Sequence, residues 1–401
     1  MSQSGAANLQ HFATILDRDR LIARLEALVR TPSENPPGEE LEAARLAARY
    51  CEELGAEVRA HEAVPNRPSI VARWGSGAPV VGYCSHVDVV PAGDRSLWSQ
   101  DPYSGTIVDG RLYGRGSGDA KGPISAALEA VDILRRAGWP PHGTLELELV
   151  ADEETMGFKG AGHLVEQRII APDVAIVGEP TSLRVVRAQR GACWFRINTR
   201  GVAAHGSAPE RGVSAIRHMA ELVLRLDDTL PDVSHPVLGG PTISVGTIGG
   251  GAKINIIPAA CTIEVDRRTI PGETVESVRG SIDAAIALAQ QRFPDLDAEV
   301  ELLFQSNPFE VDGNSAVVEA VAGSVAEVTG SPAVITGFRG ASDARFLFEA
   351  GADVVLCGPG EIERAHTANE SIDLDQLESA ALAYALSFAR LLTSRGAASV
   401  G

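Results

Sequence analysis

Residues 80–88 read VVGYCSHVD, a buried-strand run over Val80–Ser85 that delivers His86 and Asp88 at its carboxyl edge. In an extended segment, residues i and i+2 face the same side. His86 is thereby placed to hold a metal, with Asp88 fixing the imidazole tautomer from behind. Working outward, further β-rich runs occur at Ser69–Trp74, Leu145–Ala151 and Asp173–Val177, with a helical stretch at Gly122–Ala137 between them. Upstream, Leu21, Leu25 and Leu28, and then Leu41, Leu46 and Leu54, recur at helical spacing within 18–30 and 39–54. The segment between, TPSENPPGEE, is turn chemistry that stops one helix and caps the next. Strands alternating with helices predict an α/β layer with a mostly parallel central sheet.

The pattern changes near Arg190. Cys193–Thr199 reads as a strand, Val213–Leu226 as a helix, Thr242–Ile248 and Ala260–Arg267 as strands, and Glu273–Arg292 as a helix. This β-α-β-β-α order is the signature of a small α+β, ferredoxin-like domain. Helix–strand alternation then resumes with Ser315–Thr329, Ala333–Thr336, Ala344–Phe348, Val354–Cys357 and Leu374–Thr393. The expectation is an α/β domain built from residues 1–189 and 306–401, interrupted by an α+β domain at 190–305.

Composition narrows the function. The 401 residues are 44% hydrophobic and 22% charged, ordinary for a globular protein, and carry a formal net charge of −18. Such acidity argues against nucleic acid, whose phosphates need a basic footprint, and against an anionic membrane surface. The N-terminal stretch has no basic region followed by an apolar one, so no secretory signal is read. The five cysteines are scattered and lack CxxC spacing, which suits buried reduced thiols and a cytoplasmic location.

Other strand ends carry more acid and imidazole. Asp119 lies in GRGSGDAKG just before a helix, and the run Leu145–Ala151 ends in Asp152, Glu153 and Glu154. Glu179 follows Asp173–Val177 in GEPT, and His366 follows a later strand in GPGEIERAHTANE. The glycine loop is no dinucleotide fingerprint, because its spacing is not GxGxxG, no strand feeds it and Asp119 would repel a pyrophosphate. Alone, each of these is an ordinary turn or a solvated acid. Together they place so many anions in one cleft that cations are needed to hold them there. Two divalent ions sharing a carboxylate, about 3.5–4 Å apart, supply that compensation. A His/carboxylate set without Cys favours Zn²⁺, with Co²⁺ or Mn²⁺ as substitutes.

The blocks YCSHVDVVP, YGRGSGDAKGP, ADEETMG, VGEPT, RGVAAHGSAPERG and ERAHTANE resemble, in order, those of a metallopeptidase family. It is the family that holds acetylornithine deacetylase, succinyl-diaminopimelate desuccinylase, glutamate carboxypeptidase and aminoacylase. The resemblance implies that His86 and Glu179 bind one metal, Glu154 and His366 the other, and Asp119 both. It makes Glu153 the general base and Asp88 the partner of His86, a choice between Glu153 and Glu154 that spacing leaves open. It further implies that His205 donates to the oxyanion from an inserted lid and dimerisation domain, reaching the partner subunit of a homodimer. Arg268 and Asn255 resemble residues that grip the substrate carboxylate, and Asp343 and Arg345 resemble residues that position the loop lining the substrate pocket. The activity implied is removal of an acetyl- or succinyl-type group from an N-acyl amino acid by metal-activated water. A dipeptidase or glutamate-type carboxypeptidase is the alternative, acting on short peptides with a free carboxylate. A non-catalytic metal-binding module would be expected to lack the base or the shared Asp, and both are present.

Overall fold

In the computed structural model, the strand Val80–His86 runs parallel to Gly143–Val150 on one side and to Val174–Val177 on the other. Val174–Val177 in turn pairs in parallel with Asp353–Leu356. Outside this parallel centre the pairings are antiparallel: Pro68–Ser76 borders Gly143–Val150, Glu57–Glu62 borders Pro68–Ser76, and Val185–Gln189 meets Asp353–Leu356. The structure describes residues 8–138 and 142–393; residues 1–7, on which the reading of the N-terminus partly rests, lie outside the described residues.

The central strands are covered on both faces, and Gly143–Val150 buries Glu146 and Glu148 along with its apolar residues. Every residue of Gly143–Val150 is buried. The helix Lys121–Arg136 is buried from Lys121 through Leu134 and packs against Leu374–Thr393 and Arg18–Val29. Tyr83 from the central strand meets Tyr384 and Phe388 of the last helix edge-on, at 5.2 and 6.1 Å between ring centroids. The Tyr384 hydroxyl donates to the Cys357 carbonyl at 2.6 Å, which satisfies the polar end of a wholly buried ring. All five cysteines are free and buried, and no described helix is long and apolar enough to cross a membrane.

The unit holding this sheet comprises Met1–Arg187, Val311–Thr336 and Ser342–Gly401. A second unit comprises Ala188–Glu310 and Gly337–Ala341, so a short piece of late sequence joins it, tied by Arg190 N–H to the Phe338 carbonyl at 3.0 Å. Its sheet is antiparallel throughout, in the order Thr242–Gly250, Ala260–Thr269, Gly191–Arg200, Asp297–Ser306. Helices Ala215–Leu226 and Val275–Arg292 pack on it around Phe195, Ile197, Met219, Leu222, Ile263 and Ile282. That is the ferredoxin-like β-α-β-β-α-β order, with Asp297–Ser306 as the closing strand.

Two of the strands that the sequence reading did not name lie at sheet edges. Glu57–Glu62 (EVRAHE) and Asp297–Ser306 are largely exposed along their length. The expected strand Ala333–Thr336 forms instead at Ile335–Phe338.

Candidate active site

Because the central strands are parallel, their carboxyl ends open onto one edge of the sheet, the usual ligand position in an open α/β sheet. His86 ends one strand, the turn carrying Glu153 and Glu154 follows the next, and Glu179 follows the third. The loop after Asp353–Leu356 brings His366, and the turn before helix Lys121–Arg136 brings Asp119. Ligand atoms of His86, Asp119 and Glu179 lie within 4.8 Å of one another, as do those of Asp119, Glu154 and His366. Asp119 belongs to both groups. Its Oδ1 is 3.1 Å from His86 Nε2 and its Oδ2 is 3.3 Å from His366 Nε2. His366 Nε2 is also 3.0 Å from Glu154 Oε2.

The imidazole of His86 is oriented from behind. Its Nδ1 is 2.9 Å from the backbone carbonyl of Asp88, an acceptor, so Nδ1 carries a proton and Nε2 is the nitrogen turned toward Asp119. The Asp88 carboxylate lies farther from Nδ1, at 3.6 Å, and is engaged elsewhere. It accepts from the backbone N–H groups of Glu153 (3.3 Å) and Glu154 (3.1 Å) and from the Asn35 amide (2.8 Å). Asp88 therefore ties the strand end bearing His86 to the turn bearing both glutamates.

That turn is tightly specified. Asp152 takes a left-handed backbone conformation (φ 73°), and its buried carboxylate accepts from Thr155 Oγ1 (2.8 Å) and Lys159 N–H (3.0 Å) and pairs with Arg67 (3.1 Å). Arg345, 4% exposed, donates to the Met156 carbonyl and stacks over Phe158 at 5.3 Å and Phe346 at 4.4 Å. Asp343 is buried behind the same turn. Glu153 lies beside the ligands, with Oε2 4.0 Å from His86 Nε2.

The electrostatics ask for positive charge. Burial pushes Glu153, Glu179 and Glu154 above the usual carboxylate range, and their mutual repulsion adds to it. Burial likewise drives Asp343 up to about 7. Asp119 goes the other way: burial opposes its charge, but hydrogen bonds to His366 and His86 overcome that and hold its pKa low. Glu179 Oε1 is buried without a hydrogen-bond partner. Orphaned oxygen, mixed N/O donors and a carboxylate common to two groups all fit a pair of divalent cations.

Three of the expected residues fold in the second unit. His205 and Asn255 lie on adjoining segments, joined by the bridge His205–Ile256 and by Gly206 N–H to the Asn255 carbonyl at 2.8 Å. His205 Nδ1 lies 2.7 Å from Ser207 Oγ and 3.2 Å from Ser207 N, so Ser207 holds the ring through that nitrogen. The Arg268 fork rests on Asp266 of its own strand, at 3.1 and 2.9 Å. The residues the sequence reading passed over are supports: Asn35, Arg67, Arg115 and Glu370. Arg115 and Glu370 stand inside quoted motifs; for Arg115 the available signal was a charged residue among glycines, and Asn35 offered none.

A protein-family model described as peptidase family M20/M25/M40 matches residues 82–390, well over half of the chain. Among solved structures, the fold is shared with the aminopeptidase PepT from Bacillus cereus (24% identity, TM-score 0.80), covering 94% of this chain and 99% of that one. It is shared also with an M20 family metallo-carboxypeptidase from Sulfolobus solfataricus (20%, TM-score 0.77, 93% and 99% covered). The dipeptidase Dug1p from Saccharomyces cerevisiae matches at 16% identity and TM-score 0.73, with 98% and 100% covered. The protein belongs to peptidase family M20/M25/M40 and is a hydrolase acting on amide bonds.

Proposed function

We propose that this hydrolase removes an acetyl- or succinyl-type group from an N-acyl amino acid, using two divalent cations, Zn²⁺ in the first instance. The observation that carries the reading is the pair of ligand groups sharing Asp119, with Glu153 alongside. His86, Asp119 and Glu179 would hold one cation and Asp119, Glu154 and His366 the other. When bound, such ions polarise the amide carbonyl and make water acidic enough to yield its proton near neutral pH. Glu153 takes that proton and returns it to the departing nitrogen, a task suited to a carboxylate whose pKa burial has raised. Asp88 and Asn35 keep the Glu153 backbone in place meanwhile. His205 Nε2 donates to the developing oxyanion, and Arg268 with Asn255 receives the substrate carboxylate. In this reading Arg268 exchanges Asp266 for the substrate.

The proposal includes a homodimer through the second unit. Supporting it, the edge strand Thr242–Gly250 is exposed along most of its length, Ile248 is 64% exposed, and Ile254 nearby is fully exposed. An unpaired edge with apolar side chains is suited to pairing with a second copy.

A second reading is a dipeptidase or carboxypeptidase, favoured by the activities named for the structural relatives. The deciding experiment strips the protein with chelator, restores Zn²⁺, Co²⁺ or Mn²⁺, and assays N-acetyl, N-succinyl and N-formyl amino acids beside dipeptides. Metal-dependent release of amine from the acyl amino acids is expected. Turnover confined to dipeptides would establish the second reading, and full activity in the stripped protein would overturn both.

A further inference from the structure

Glu370 is 1% exposed and belongs to neither ligand group, yet its carboxylate and its backbone carbonyl engage the glycine-rich loop that presents Asp119. Its Oε1 accepts from the backbone N–H groups of Gly118 (3.0 Å) and Asp119 (3.2 Å). Its Oε2 accepts from Arg115 at 2.5 Å, and its backbone carbonyl accepts from Gly114 N–H at 3.0 Å. One residue thus grips both ends of 114–119. Three of the residues in that stretch are glycines, with no side chains to brace it. Arg115, which supplies the opposite charge, is itself held over the Trp98 ring at 5.3 Å.

Glu370 also stands four residues after His366, on the same short loop. Its neighbour Asn369 anchors that loop by accepting from Ser99 N–H at 2.7 Å. The carboxylate therefore ties the loop bearing His366 directly to the backbone of Asp119. Asp119 must direct one oxygen toward each ligand group, so a small rotation of its main chain misplaces a ligand in both. A carboxylate on two successive N–H groups resists that rotation, since either hydrogen bond lengthens when the peptide turns.

We propose that Glu370 is a positioning residue for the shared ligand: by holding the Asp119 backbone it sets both metal groups at once. The inference rests on the metal-site reading above. It differs from a merely stabilising buried ion pair with Arg115, which would affect unfolding without altering metal affinity in the folded protein.

The test is calorimetric titration of Zn²⁺ into chelator-stripped wild type, Glu370→Ala, Glu370→Gln and, for comparison, Glu154→Gln, with folding checked by circular dichroism. Glu370→Ala is expected to weaken both sites by about 10–100-fold, the usual effect of losing a residue that orients a ligand. Glu370→Gln keeps an oxygen for the two N–H groups and should lose less, again at both sites. Glu154→Gln should weaken one site. Two sites of wild-type affinity in folded Glu370→Ala, or a loss confined to one, would overturn the proposal. If the alanine variant does not fold, the glutamine variant decides, and wild-type affinity there overturns it. A wild type that takes up no Zn²⁺ would remove the metal-site reading itself, and the positioning role with it.

Discussion

Gly160 closes the turn that carries Glu153 and Glu154, and the closure leaves no room for a side chain. A Cβ at this position would lie 1.8 Å from the Ala151 carbonyl oxygen and 2.9 Å from its carbon. The backbone angles, φ −105° and ψ −110°, are also outside the regions that other residues favour. Contacts of this kind essentially never fall below 3.0 Å, so Gly160→Ala must open the turn by about 1.2 Å. The partner atom is rigid backbone, so no side chain can swing away. Either the end at Ala151 moves, taking the glutamates with it, or the start of helix Ala161–Glu166 moves, and the Gly160 N–H bond to Gly157 (3.2 Å) is pulled. A misplacement of about 1 Å in a catalytic group costs roughly 100-fold in rate, or about 2.7 kcal/mol. Overpacking adds a stability loss of about 1–3 kcal/mol. The assay is kcat/KM on the best substrate of the panel, with urea unfolding alongside. The control is Gly280→Ala, inside helix Val275–Arg292, where a Cβ meets nothing within 4 Å. It should leave activity unchanged and raise stability by about 0.5–1 kcal/mol. Wild-type kcat/KM and stability in Gly160→Ala would refute the view that this closure sets the glutamates.

Glu153→Ala should keep both metals, measured by elemental analysis, and lose about 100–10,000-fold in kcat; retained turnover would remove Glu153 as the base. Glu129 is wholly buried and accepts from Arg20, Arg24 and Asp17 N–H. Glu129→Ala strands Arg24, which is 7% exposed, and should cost about 3–5 kcal/mol of unfolding free energy; a loss under 1 kcal/mol would mean the arginines find other partners. Arg268→Ala should raise KM for substrates with a free carboxylate and leave their esters unaffected, whereas equal losses on both would assign the residue to the fold.

The site was more legible than its supports, for a physical reason. His86, Asp119, Glu153, Glu154, Glu179 and His366 each follow a strand or precede a helix that periodicity reveals, and a parallel sheet gathers such ends on one edge. Asn35, Arg67 and Glu370 act through hydrogen bonds between segments remote in sequence: Asn35 reaches Asp88, Arg67 reaches Glu40 and Asp152, and Glu370 reaches Gly118 and Asp119. No spacing rule encodes such pairs. The edge strands Glu57–Glu62 and Asp297–Ser306 differ, since much of each stays exposed, although Ala298 and Val300 of the second pack on the core of their unit. Arg268 shows a third case. Its fork geometry is a property of the residue type, but its partner, Asp266, is set by strand alternation and appears only once the strand is built.

The cations placed around the site sharpen the argument for metal. Arg67 is committed to Glu40 and Asp152, Arg115 to Glu370, Lys121 to the Thr31 carbonyl, and Arg345 to the Met156 carbonyl. Among the described residues, no arginine or lysine bridges to Asp119, Glu153, Glu154 or Glu179. Their ion-pair partners are His86 and His366, and Glu179 has none within range. Each of these buried cations is engaged with another group, and none of them with Glu179. Protons could neutralise the cluster, which is the direction burial pushes Glu153, Glu154 and Glu179. Glu179 Oε1, however, has no hydrogen-bond partner, so a proton placed there would go unshared. The arrangement therefore gathers nitrogen and oxygen donors, one of them a buried oxygen without a partner, where shared positive charge would compensate them.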